Sequence, residues 1–93
     1  MAHSDNLFAS SAPECELTLI VRHGCHLCDD MRATLAELLQ GRAVRVVELD
    51  VDADPVMFER YNEWVPVLTR GEHEICHYFI DAVALEQALG HEQ

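Results

Sequence analysis

The sequence predicts a single α/β domain: a four-stranded mixed sheet flanked by helices, with elements in the order β-α-β-α-β-β-α. Three observations carry that prediction. Two apolar, β-prone runs, Glu16–Arg22 and Ala43–Asp50, flank a segment with helical hydrophobic spacing, and strand, helix, strand in that order implies a right-handed crossover and parallel pairing. Two further β-prone runs are joined only by Arg70-Gly71-Glu72-His73, a link short enough to require an antiparallel hairpin. Two cysteines, Cys25 and Cys28, stand where the first strand gives way to the first helix. The 93 residues suffice for one core if both faces of the sheet are covered.

Residues 1–14 are rich in Ser, Ala, Asn and Asp and lack periodicity, so they read as a disordered tail ahead of one domain over 15–93. Glu16–Arg22 (ELTLIVR) is too short for a helix and reads as a strand buried on both faces. Cys25–Gln40 reads as a helix, with Cys28, Met31, Leu35, Leu38 and Leu39 at helical spacing and Gly41 in the C′ position. Ala43–Asp50 (AVRVVELD) reads as a second buried strand. Asp54-Pro55 opens the next helix, Asp as N-cap and Pro at N1, running through Phe58 towards Asn62. Trp64–Thr69 and Glu74–Ile80 form the hairpin, with Cys76 on an edge strand. Asp81 caps a last helix whose Val83, Ala84, Ala88 and Leu89 are expected to face the sheet. Pro66 cannot donate to a sheet ladder, so it belongs at an edge, a strand start or a bulge.

Composition narrows the partners. Seventeen acidic residues against 6 basic ones give a formal charge of −11, which repels nucleic acid and anionic membranes and favours basic surfaces as a screened, long-range bias. The first 14 residues contain no basic segment and no apolar run, and no stretch approaches the ~20 apolar residues needed to span a bilayer. The expectation is a cytoplasmic protein without membrane or nucleic-acid partners. In that compartment paired cysteines more often mean redox or metal chemistry than a lasting structural disulfide.

His23-Gly24-Cys25-His26-Leu27-Cys28 carries the chemistry. Thiols at i and i+3 on a first helical turn can come within bonding distance, and the helix N-terminus favours thiolate over thiol. Cys25, at the helix cap and on the exposed side, is assigned as the nucleophile. Cys28, continuing the apolar stripe of Met31 and Leu35, is assigned as the more buried, resolving thiol. A protonated His26 would stabilise the Cys25 thiolate and tune the potential, whereas Asp29 and Asp30 act in the opposite direction. Cys15 and Cys76 lie outside any motif and read as plain small residues.

The CxxC at a strand-to-helix junction, the element order, and Val65-Pro66 opening the third strand together resemble the thioredoxin fold. The short length and single N-terminal β-α-β unit look like its glutaredoxin-like members. The resemblance covers about Glu16 to Leu89. It implies a small thiol–disulfide oxidoreductase acting on protein or low-molecular-weight disulfides, with no tightly bound cofactor and with the glutathione or thioredoxin system as reductant. It also implies a cis Val65–Pro66 bond facing the cysteines, and a substrate groove formed by Trp64, Val65, Pro66, Arg22 and Asp81; Trp64 reads equally as a core residue anchoring the third strand. The chain departs from the glutaredoxin pattern at three places: His26-Leu27 between the cysteines, Trp64 in place of Thr before Val-Pro, and Phe79-Ile80 in place of a Gly-Gly pair before the last helix. All three bear on glutathione binding rather than on dithiol chemistry.

A different class of function uses the same residues. His23, Cys25, His26 and Cys28 offer two nitrogen and two sulfur donors to zinc or copper(I), as a metal-binding or metal/cluster-carrier module would. Four donors so close in sequence are hard to place tetrahedrally, and small copper chaperones with a strand–CxxC–helix end on a strand, whereas this chain ends on a helix. No metal site is therefore assigned.

Overall fold

The computed structural model describes residues 15–90; the expected tail over 1–14 and residues 91–93 lie outside the described residues. The elements are β1 (Cys15–Val21), α1 (His26–Leu38), β2 (Val44–Asp50), α2 (Pro55–Tyr61), β3 (Val67–Arg70), β4 (His73–His77) and α3 (Ala82–Leu89). A single 3₁₀ turn, Val51–Ala53, not foreseen in the sequence, joins β2 to α2. The sheet order is β2-β1-β3-β4, with β1 parallel to β2 and antiparallel to β3, and β3 antiparallel to β4. This is the expected mixed sheet.

Strand alternation sorts the core into two layers. Leu17 and Leu19 of β1, Leu68 of β3 and Ile75 of β4 pack with Met31, Leu35 and Leu39 of the α1 region and with Leu85 and Leu89 of α3. On the opposite face, Ile20 and Val67 pack with Val51 and Tyr61, the latter from α2. Neighbours in sequence (Leu19 and Ile20, Val67 and Leu68) thus serve opposite faces, and α1 with α3 covers one side while α2 covers the other.

Several boundaries and faces differ from expectation. β2 is not a buried strand: no residue of it is fully buried, and Val44, Val46 and Val47 are half-buried. Its place at the sheet edge leaves it a single neighbouring strand. α1 ends at Leu38, which is exposed, with Leu39 as the cap, so Gly41 stands beyond the C′ position at φ 77. β3 begins at Val67 rather than Trp64, because Pro66 cannot enter the ladder, and β4 ends at His77 rather than Ile80. Val83 does not face the sheet; it is 68% exposed. Leu85 and Leu89, one turn apart, take that face with Ala84 and Ala88 beside them, and Val83 lies two residues (~200°) round the helix from Leu85.

The hairpin closes through Gly71 and Glu72, with Arg70 paired to His73. Gly71 has φ 61 at the first turn position, where a type II′ turn requires the left-handed side. Asp54 caps α2 by accepting from Val56 and Met57 N–H at 2.9 and 3.2 Å, and Asp81 caps α3 by accepting from Ala84 N–H at 3.0 Å. Val65–Pro66 is cis.

Candidate functional site

Strand register gathers the candidate residues at one end of the sheet. Val21 pairs with Asp50, Ile20 with Val67, and Val67 with His77. The C-terminal ends of β1, β2 and β4 and the start of β3 therefore meet, and α1 begins there. This end carries Arg22, Cys25, Cys28, Trp64, Val65, Pro66 and Asp81, which span nearly 60 positions of sequence.

Cys25 is the N-cap of α1, in extended conformation at φ −101 and ψ 113. Its Sγ accepts the Cys28 N–H at 3.1 Å, and its carbonyl accepts the Asp29 N–H at 3.1 Å. The two cysteines are disulfide-bonded, with their Cα atoms 5.1 Å apart. They differ sharply in access: Cys25 is half-exposed, whereas Cys28 is 1% exposed. A sulfur at the cap position meets the free N–H groups of the first turn, so the same local geometry that starts the helix stabilises negative charge on Cys25 once the bond is reduced. His23 and His26 are both exposed beside it. Among the described residues no three His, Cys, Asp or Glu side chains gather to hold a metal ion, and both motif sulfurs are bonded to each other.

The residues expected to line a groove fall into distinct roles. Pro66 is buried at the start of β3, and its carbonyl accepts the Tyr78 N–H at 2.9 Å, fastening the loop after β4 to the loop before β3. Val65 is half-buried and packs beneath, against the Ile20–Tyr61 layer. Trp64 is 44% exposed rather than a core anchor. Its ring meets His77 edge-on at 5.1 Å and Tyr78 at 6.0 Å. Asp81 is exposed, with its carboxylate engaged in capping α3. Arg22 forms a two-pronged contact with Asp52, Nε to Oδ2 and Nη2 to Oδ1 at 3.0 Å each, and donates to Asn62 through Nη2 at 2.5 Å and Nη1 at 3.3 Å. That pairing holds the Asp52 carboxyl below the ordinary carboxylate range and raises the guanidinium above its own. Arg22 thus ties the end of β1 to the 3₁₀ turn and to the end of α2.

Sequence reasoning missed Asp52 and Asn62, the partners of Arg22, which lie 30 and 40 residues away. It also missed His77 and Tyr78 as neighbours of Trp64. Tyr78 sits at φ 67, with the Phe79 N–H donating to the His77 carbonyl at 2.7 Å across it, a γ-turn at the point where β4 leaves the sheet. Its hydroxyl donates to the Glu63 carbonyl at 2.8 Å. No composition rule marks a tyrosine for positive φ, so nothing local could have found it.

Comparison with known proteins agrees with this geometry. Residues 16–90 match a family model described as a glutaredoxin-like domain (DUF836). A solution NMR structure of a protein from Nitrosomonas europaea is 33% identical over 78% of this chain and 88% of that one, with a TM-score of 0.71. An X-ray structure of a protein from X. campestris is 30% identical over 83% of this chain and 99% of that one, with a TM-score of 0.63. The oxidised mitochondrial thioredoxin 3 of Saccharomyces cerevisiae shares the fold at 22% identity, over 94% of this chain and 87% of its own, with a TM-score of 0.54. Among curated proteins no match was found.

Proposed function

The chain belongs to the glutaredoxin-like domain family, and from that premise we propose that it is a small thiol–disulfide oxidoreductase working through Cys25 and Cys28. The observation that supports this reading is the asymmetry of the pair: a half-exposed sulfur at a helix cap, bonded to a buried one a turn further in. In the reduced protein the Cys25 thiolate attacks a sulfur of the substrate disulfide, forming a mixed disulfide and releasing one substrate thiol. The Cys28 thiolate then attacks the Cys25 sulfur, closing the Cys25–Cys28 bond and releasing the second thiol. Two electrons pass to the substrate, and a dithiol of a protein such as thioredoxin, or two molecules of glutathione, returns them by the reverse sequence. His26, exposed one position after Cys25, stabilises the thiolate when protonated. Trp64, Val65 and Pro66 form the wall against which the substrate segment lies. The compartment proposed is the cytoplasm; among the described residues no helix is long and apolar enough to cross a membrane.

The test is trapping. Cys28→Ser should accumulate a mixed disulfide on Cys25 that is visible by mass spectrometry, and Cys25→Ser should lose exchange altogether. Retained exchange in Cys25→Ser would reverse the roles, and one firmly bound metal per chain would favour the metal-carrier reading instead.

A further inference from the structure

The chemistry of the partner can be read from the charges around the cysteine pair, taking the redox reading above as given. All six of the chain's basic side chains are arginines, and each is already engaged. Arg22 is held by Asp52 and Asn62, Arg32 by Asp29 and Glu48, Arg42 by Glu86, and Arg45 by Glu16. Arg70 donates to the Ala88 carbonyl. Arg60 lies over the Tyr61 ring and lines a shallow hollow with Trp64, His77, Glu72 and Glu74.

At the sheet end that bears Cys25, carboxylates outnumber cations. Asp29 and Asp30 follow on α1, Asp50 ends β2, Asp52 lies in the 3₁₀ turn after it, Glu63 precedes Trp64, and Asp81 caps α3. All six are exposed. Against them stand Arg22 at the strand ends, Arg32 reaching this end through Asp29, and Arg60 beside Trp64. Asp30 stands four residues after His26 on the same face of α1 and has no partner among the described residues. Beside these charges two aromatic rings face solvent, Trp64 at 44% and Phe79 at 67% exposure.

Glutathione disulfide carries four carboxylates against two ammonium groups, so it arrives as a net anion. It would meet more carboxylates than arginines, with Asp30 and Glu63 lacking a cationic partner among the described residues and every arginine already engaged. Phe79-Ile80 also fills the approach to α3 with side chains, and the Asp81 carboxylate already occupies the capping position there. A basic polypeptide segment has the opposite fit. Its cations are drawn to the acidic rim, and its apolar side chains and stems cover the exposed rings.

We propose that the Cys25–Cys28 pair exchanges with disulfides in basic polypeptide segments, steered by the acidic rim and seated on Trp64 and Phe79, and that it discriminates against glutathione disulfide. The electron balance is that of the exchange above. The reduced pair is oxidised to its disulfide, the substrate disulfide takes up two electrons and two protons to become two thiols, and a protein dithiol restores the pair.

The experiment is a single-turnover oxidation of the prereduced full chain, with excess reductant removed. It is followed by mass spectrometry against three peptide disulfides that differ only in flanking residues (arginine, glutamine or glutamate) and against glutathione disulfide. At ~10 mM ionic strength, where charges act over ~30 Å, the arginine peptide should react about tenfold faster than the glutamate peptide, and glutathione disulfide should be slowest. At ~1 M salt, where the screening length is ~3 Å, the peptides should converge to within about twofold. Asp30→Asn should narrow the low-salt ratio of the arginine-peptide rate to the glutamate-peptide rate, each taken relative to the glutamine peptide. Equal rates for the arginine and glutamate peptides at low salt would overturn the proposal while leaving the oxidoreductase reading intact. Glutathione disulfide reacting fastest, with Arg60→Gln abolishing that advantage, would overturn it by placing anion recognition at Arg60. Failure of every disulfide to react would overturn both readings.

Discussion

Cys25 and Cys28 stand at the cap and the third position of one helix yet differ in nearly all that governs a thiol's reactivity. The cap position gives Cys25 access and the first-turn N–H groups; the third helical position turns Cys28 into the core. Their contrast with Cys76 is instructive. Cys76 is a half-buried free thiol on β4, and burial is the main cause that pushes its pKa up; a hydrogen bond from the Asp81 backbone opposes it, and the charges of Asp81 and Glu74 add to it. A thiol raised in this way is mostly protonated at neutral pH and a poor nucleophile. With the Cys25–Cys28 bond intact, iodoacetamide should therefore modify Cys76 slowly at pH 7 and progressively faster as the pH rises beyond the usual thiol range near ~8.5, read by mass spectrometry. In the reduced protein at pH 7 Cys25 should be labelled well before Cys76. Labelling of Cys76 at a comparable rate would contradict the assignment of reactivity to the helix cap.

The elements owe their positions to a few well-placed side chains. Asp54 and Asp81 each satisfy backbone donors that open a helix, one of seven and one of eight residues, too short to persist on propensity alone. Asp81→Ala should cost about 1 kcal/mol in urea unfolding, because the Ala84 N–H loses its acceptor. The two faces of α3 offer a sharper comparison. Leu85 is 0% exposed between the sheet and α1, whereas Val83, two residues earlier, is 68% exposed. Leu85→Ala should destabilise by about 2–5 kcal/mol and Val83→Ala by less than about 0.5 kcal/mol. Equal effects would mean that α3 docks with a different face from the one described.

For the molecule as a whole, charge sets both solubility and the response to acid. A formal charge of −11 makes the folded chain self-repelling near neutrality, and its arginines offset this locally by tying separate elements together. Arg32 joins α1 to β2 through Glu48, Arg42 joins the end of α1 to α3 through Glu86, and Arg22 joins β1 to the turn before α2 through Asp52. The Asp52 carboxyl is held below its ordinary range, first by the Arg22 hydrogen bond. A group depressed in the folded state contributes stability above its unfolded pKa, about 4, and loses that contribution as the pH falls through its folded value. Because the pair is exposed, the effect is small and screened by salt. The stability difference between the parent and Asp52→Asn should be constant above pH ~5 and should close as the solution is acidified further, measured by urea unfolding across pH. A gap that widened on acidification would have the wrong sign for this contact.

Elements, helix caps and the pairing of Cys25 with Cys28 were legible along the chain because each depends on residues three or four apart or on neighbours across a short turn. The CxxC spacing at a helix start, Asp54-Pro55 and the Gly71 hairpin all act over such distances, and all appear in the fold as read. What could not be read depends on partners brought in from afar. β2 reads as a buried strand because three of its residues are valine, yet its burial is decided by how many strands flank it, and the sheet order leaves it one. Arg22 reads as a basic side chain open to substrate, but its guanidinium is claimed by residues 30 and 40 positions later. Trp64 reads equally as core or groove until the fold sets its ring against His77 and Tyr78, which lie 13 and 14 positions later. Local rules settle which residues can do chemistry. Long-range pairing, chosen by the burial of the whole sheet, settles which of them stand together and which are already bound.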